Sequence, residues 1–221
     1  MDFDKFTRKQ NWIYKKNFDP LAVQIEGTAP DKIITTKDHG YIVAFRHLPE
    51  LVEIIEAGAA AIAKTVPCIA YTRATLHTTL GVVKKEYDEM LMQDVCEAVH
   101  YAIRRNNRCP QIAYASWLYN RTTVIAEGHA DPNFVYLLNR LQGEGKTSQV
   151  DFAPPQMAHI TTNRFTQAVP PEALKDFFST ISRLNEKGMI GISLPPQIDI
   201  GYYRFNENGF AIDVYESHCA E

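Results

Sequence analysis

Two short segments of this 221-residue chain repeat one pattern of residue types. His77-Thr78-Thr79-Leu80 and His159-Ile160-Thr161-Thr162 each place a histidine two residues ahead of a threonine, and the two histidines lie 82 positions apart. Both segments sit in apolar stretches that read as strands. Along a strand successive side chains alternate faces, so each His shares a face with the Thr two residues on. Two such pairs facing one another across a cleft would surround a small anionic group with two imidazoles and two hydroxyl donors. Imidazole, with an ordinary pKa of about 6.5, can accept or donate a proton near neutral pH. The hydroxyls can donate to non-bridging oxygens as charge builds there. This is the equipment for attack on a phosphate ester.

Other residues invite chemistry less strongly. Arg73 and Thr75 share the parity of His77 on a strand read over 69–83, so Arg73 is a candidate phosphate contact, with a surface ion pair the equal alternative. Tyr202 and Tyr203 lie in a strand near the C-terminus; Tyr203 either stacks on a base or, the better expectation, packs in the core. The run Arg104-Arg105-Asn106-Asn107-Arg108 either touches an RNA backbone or is a solvated helix end. His129 and Asp131 have the spacing of a metal pair, but Asp131 precedes Pro132 and reads as a helix N-cap. His39, His47, His100 and His218 have no companions in the sequence. Cys68, Cys96, Cys109 and Cys219 lack CxxC spacing, so neither a zinc site nor a disulfide framework is indicated.

The elements that must position the two motifs follow from pattern. Residues 1–38 read as a polar, aromatic arm with one short helix, packing on a body of residues 39–221. Tyr41–Phe45 reads as a strand. Helices are expected from Pro49 to before Pro67, over Leu91–Ile103, from Pro132 to Gly143, and from Pro171 to before Gly188. Strands are expected over 111–118, 122–128 and 156–163, and a closing hairpin over 198–205 and 210–215, turned at Asn206-Glu207-Asn208-Gly209. The mixture is α+β, with two similar lobes that each contribute one His strand.

Composition narrows the classes. Hydrophobic residues at 45% and charged residues at 22% suit a globular domain, and a net charge of −3 argues against a generally basic nucleic-acid binder. No apolar run reaches membrane-spanning length, and the charged start is unlike a signal peptide, so a cytoplasmic setting is expected.

The two motifs, their separation and the order of elements resemble the two-histidine (2H) phosphoesterase superfamily, which includes 2′-5′ RNA ligase-like proteins and cyclic nucleotide phosphodiesterases. The resemblance covers most of residues 40–215. It implies a bilobal fold, pseudo-symmetric lobes of antiparallel sheet with flanking helices and a central cleft. It also implies His77 and His159 as catalytic residues and Thr79 and Thr161 as phosphate contacts. Arg164 follows the second motif where many relatives carry an arginine; its parity is opposite to that of His159, so it faces away unless the strand ends or bulges there. Thr162 stands where an apolar residue is usual. The expected activity is hydrolysis of a 2′,3′-cyclic phosphate at an RNA end or of a small cyclic nucleotide, reversible in principle as ligation. No cofactor or metal is expected, and a monomer is favoured. The rivals are a module that binds an RNA end or nucleotide without turnover, and a metal hydrolase using His129 and Asp131.

Overall fold

The computed structural model describes residues 1–104, 109–206 and 209–219. Three aspartates open the chain's first three helices. Asp2 caps α1 (Phe3–Asn17), Asp19 stands before Pro20 at the head of α2 (Pro20–Glu26), and Asp31 caps α3 (Lys32–Thr35). Each carboxylate accepts a backbone N–H left unpaired by the first helical turn. The arm is thus three helices rather than one. Then follow β1 (His39–Arg46), α4 (Pro49–Ala63), β2 (Cys68–Ala70), β3 (Thr78–Val83), α5 (Glu89–Arg104), β4 (Ile112–Tyr119), β5 (Thr123–Ala130) and α6 (Pro132–Thr147). The chain ends with β6 (His159–Phe165), a 3-10 turn (Pro171–Ala173), α7 (Lys175–Asn185), β7 (Gly191–Ser193), β8 (Gln197–Asn206) and β9 (Gly209–Cys219). Of the Arg104–Arg108 run only Arg104 lies within the described residues, and Glu207 and Asn208 of the hairpin turn lie outside them.

The strands form two antiparallel sheets, one ordered β3-β1-β8-β9 and the other β2-β6-β5-β4-β7. The fold is α+β and bilobal, as expected, with one motif in each sheet. One apolar core runs through both lobes and takes in the arm, where Phe6 packs on Phe134 of α6 with ring centroids 5.8 Å apart. No helix among the described residues is long and apolar enough to cross a membrane.

The expected strand over 69–83 is two strands in different sheets. β2 pairs with β6, whereas β3 pairs with β1. Between them Thr72 and Thr75 close a local turn: the Thr75 hydroxyl accepts from the Thr72 N–H (3.0 Å), and the Thr72 carbonyl accepts from the N–H groups of Thr75 and Leu76, each at 2.8 Å. Such local bonds compete with a ladder. The chain therefore changes lobe just before His77. α6 also continues past Gly143, whose α-carbon has open space around it, to Thr147. The three-residue β7 is too short to leave a periodic signal.

Candidate functional site

His77 immediately precedes β3 and His159 opens β6, and these strands meet where the lobes join. The Thr78 hydroxyl donates to the His159 carbonyl across that junction (3.2 Å). A cleft of about 490 Å³ opens over it, lined by His77, Thr79, His159, Thr161, Arg164, Tyr203 and aromatic neighbours. A larger groove of about 730 Å³ lies between α4 and α7 and touches none of the motif residues.

A β-bulge follows each His-x-Thr. Between β1 and β3, Val43 pairs with Gly81 and Ala44 with Thr79, so Leu80 is the extra residue. Between β5 and β6, Val124 pairs with Asn163 and Ile125 with Thr161, so Thr162 is extra. The fourth motif position is the bulged one in both lobes. An extra residue reverses the parity of all that follows, which brings Val82 and Lys84 to the cleft after Thr79, and Arg164 after Thr161. The condition under which Arg164 turns toward the histidines is thus met. Thr162 suits its place because its hydroxyl donates to the Val124 carbonyl (3.1 Å) where the ladder is disrupted.

Both imidazoles are oriented alike. His77 Nδ1 lies 2.6 Å from the Thr75 carbonyl, and His159 Nδ1 lies 3.4 Å from the Met157 carbonyl. A carbonyl only accepts, so Nδ1 carries the proton and the neutral ring keeps its lone pair on Nε2. Burial lowers both pKa values to about 4. For His77 the charges of Arg46, His159 and Arg164 add to the effect, and for His159 that of Arg164 does. The two rings therefore lie close enough to feel one another, and at neutral pH both are uncharged in the free protein. Phe210 stacks on His77 with centroids 5.7 Å apart, and Tyr71 stacks on Phe210 at 4.9 Å.

Arg164 is a buried cation of the cleft. Its Nε donates to the Tyr71 hydroxyl (2.9 Å), and its Nη1 pairs with Asp31. Burial opposes the charge, but Tyr71 and Asp31 outweigh it and the guanidinium stays protonated. Asp31 also caps α3 and accepts from Thr123 (3.0 Å), so a residue of the arm aims a residue of the second motif. The arm also holds the strand leading into His159. Gln10 accepts from the Ala158 N–H (2.8 Å), while the Tyr14 hydroxyl lies 2.5 Å from the Ala158 carbonyl. On the other side, Arg46 donates to the Ala74 carbonyl (2.9 Å) and the Leu76 carbonyl (3.3 Å), pinning the turn before His77.

Beneath the cleft, Thr78 points into the core and joins a closed polar cluster. His47 Nε2 lies 3.1 Å from the Thr78 hydroxyl, His47 Nδ1 lies 2.8 Å from the Ser193 hydroxyl, and the Tyr114 hydroxyl lies 2.6 Å from that of Thr78. His47 thus has the companions that its sequence neighbours did not reveal.

Arg73 is not brought to the cleft. The turn at 71–77 cancels its parity with His77, and it projects outward to pair with Glu53 at 2.9 Å. Tyr203 lines the cleft but is buried, its hydroxyl donating to Asp38 (3.1 Å); Tyr202 faces the other way and packs on Tyr41. His129 lies 3.3 Å from Glu127, while Asp131 caps α6, so the metal pairing raised by their spacing does not form. Tyr71, Phe210, Asp31 and Asp38 carry no sequence signal that singles them out, with one exception. Phe210 was reachable: it pairs with Phe205 across the hairpin, and Phe205 shares a face with Tyr203.

No protein-family model matches the sequence, and no curated protein matches it significantly. Solved structures do share its fold. TT0787 of Thermus thermophilus superposes with a TM-score of 0.62 at 13% identity, covering 82% of this chain and 97% of its own. LigT of E. coli, crystallised with NADP+, gives 0.53 at 15% identity over 84% of this chain and 100% of its own. A conserved protein of unknown function from Agrobacterium tumefaciens, ATU0111, gives 0.54 at 9% identity over 89% and 98%. At these identities the likeness is one of fold. What they share with this chain is the arrangement of elements that holds the two motifs.

Proposed function

We propose that this protein is a phosphoesterase of the two-histidine kind, hydrolysing a 2′,3′-cyclic phosphate at an RNA end or in a small cyclic nucleotide. The reading rests on one observation above all: two imidazoles with Nδ1 tied to a carbonyl two residues upstream and Nε2 unpartnered among the described residues line one cleft. Water attacks phosphorus as one Nε2 takes its proton. The P–O bond to the ribose oxygen breaks as the other histidine, protonated, gives that oxygen its proton. Thr79, Thr161 and Arg164 hold the non-bridging oxygens as negative charge grows. Both rings are neutral in the free cleft, so the phosphate anion itself supplies the opposite charge that lets one imidazole hold a proton. LigT of E. coli has been crystallised with ATP and with NADP+, which favours a nucleotide-sized ligand for this scaffold. In this reading residues 39–221 form the catalytic unit, and the arm of residues 1–38 shapes its cleft through Ile13, Asn17 and Ile33.

The test is turnover of 2′,3′-cyclic nucleotides and of a short RNA ending in a cyclic phosphate, with excess chelator present. His77→Ala and His159→Ala are expected each to lower kcat/KM by at least about 100-fold. Binding without turnover by the wild type would make the cleft a nucleotide-binding module instead.

A further inference from the structure

His100, Glu216 and His218 lie far apart in the sequence and meet at one point in the fold. Nε2 of His100 is 3.0 Å from Nε2 of His218 and 3.0 Å from Oε1 of Glu216, and that oxygen is 3.2 Å from Nε2 of His218. We propose that these three side chains form a divalent transition-metal site, of the kind that takes zinc, joining α5 to the edge strand β9.

The triangle has the right dimensions. Three donors on edges of roughly 3.1 Å can all lie ~2.1 Å from one ion placed ~1.1 Å off their plane, with donor–metal–donor angles of about 95°. Two imidazoles and a carboxylate on one face of an ion are a donor set suited to zinc, cobalt or nickel rather than to calcium or magnesium. A further β-bulge, between β8 and β9, creates the arrangement. Ile200 pairs with Glu216 and Gly201 with Val214, so Tyr215 is the extra residue of β9. Before the bulge, Phe210 faces the cleft; after it, Glu216 and His218 point to the opposite face of the sheet, where α5 packs. Cys96, one helical turn before His100, stands beside the Glu216 carboxylate, in the place that supporting residues take around bound metals. The side chains of His100 and Glu216 are each 35% exposed and that of His218 is 23% exposed, so an ion can enter without unfolding and solvent can fill its remaining positions. The site lies on the sheet face away from the cleft and is independent of the proposed hydrolysis.

The experiment uses the full chain, free of any affinity tag and stripped with chelator, titrated with Zn²⁺ by calorimetry and with Co²⁺ by its visible ligand-field absorption. One ion per chain is expected. Tm should rise by about 5–10 °C with free Zn²⁺ at roughly 100 times Kd. Glu216→Gln, which keeps the shape of the side chain, and His218→Gln, on an edge strand, should each weaken binding by about tenfold or more. Absence of binding to the wild type, or unchanged affinity in the folded His218→Gln variant, would overturn the site.

Discussion

Replacing His47 by Gln should flatten the acid side of the stability profile by an amount the structure allows to be worked out. His47 is 6% exposed and closed in by Ser193, Thr78 and Tyr114. Burial first, then repulsion from His77 once that ring is protonated and from the Arg46 guanidinium, lowers its pKa from 6.5 to about 3. The unfolded chain protonates this ring below about 6.5, while the folded chain refuses the proton until near 3, so the unfolded state binds more protons throughout that window. Stability is therefore fully present above pH 6.5 and falls as the pH drops toward 3. Between pH 7 and pH 5 one such histidine removes about 2 kcal/mol. His77 and His159 add to this, by less than the same amount each, because the cleft admits water to both. Gln does not titrate, and its amide can donate to the Thr78 hydroxyl, whose own proton goes to the His159 carbonyl, and accept from that of Ser193. Urea unfolding of wild type and His47→Gln at pH 7 and pH 5 gives four free energies. The loss between the two pH values should be smaller in the variant by about 2 kcal/mol. Groups that titrate alike in both proteins, among them Asp199 with its carboxyl held down by Arg46 despite its burial, cancel in that difference. Equal losses within about 0.5 kcal/mol, the usual error for additive effects, would refute the claim that His47 is held neutral.

The remaining predictions concern the motif strands. Asp31→Asn leaves Arg164 in the cleft with Tyr71 but without its carboxylate, and should cost on the order of 3–5 kcal/mol. Inorganic phosphate should then raise Tm more in this variant than in wild type, since the anion replaces the lost charge; equal increments in a thermal-shift titration would show that Arg164 does not meet the anion. Thr162→Val removes the hydroxyl that serves the Val124 carbonyl at the bulge and should cost about 1–2 kcal/mol, a fall in Tm of roughly 2–8 °C. A Tm within about 1 °C of wild type would mean that the bulge does not need the hydroxyl.

Much of the site is legible in residue order because strand parity is a local rule. His77 shares a face with Thr79, and His159 with Thr161, whatever the rest of the chain does. The Pro49, Pro132 and Pro171 helix starts are also legible, since proline at a first turn and aspartate at a cap act within a few residues, although Pro171 opens a 3-10 turn before α7 begins. Parity fails as a guide wherever the ladder breaks. A continuous strand would put Arg73 beside His77, and the Thr72–Thr75 turn sends it outward to Glu53. Arg164 has the wrong parity for the cleft unless a bulge intervenes, and only strand pairing could reveal that bulge.

What the chain determines by itself is the chemical vocabulary: two imidazole–hydroxyl pairs on stiff strands, and the alternation that keeps each pair together. The tertiary structure decides which groups meet. Bulges at Leu80, Thr162 and Tyr215 exist only relative to a partner strand, because an extra residue is extra only when another strand's register counts it. Those three residues turn Val82, Arg164, Glu216 and His218 to the faces they occupy. Asp31 comes to Arg164, and His100 to His218, across stretches of more than a hundred residues, a distance at which sequence spacing carries no information. Burial, which lowers His77 and His159 to about 4 and leaves both rings neutral near pH 7, belongs to the packed lobes alone.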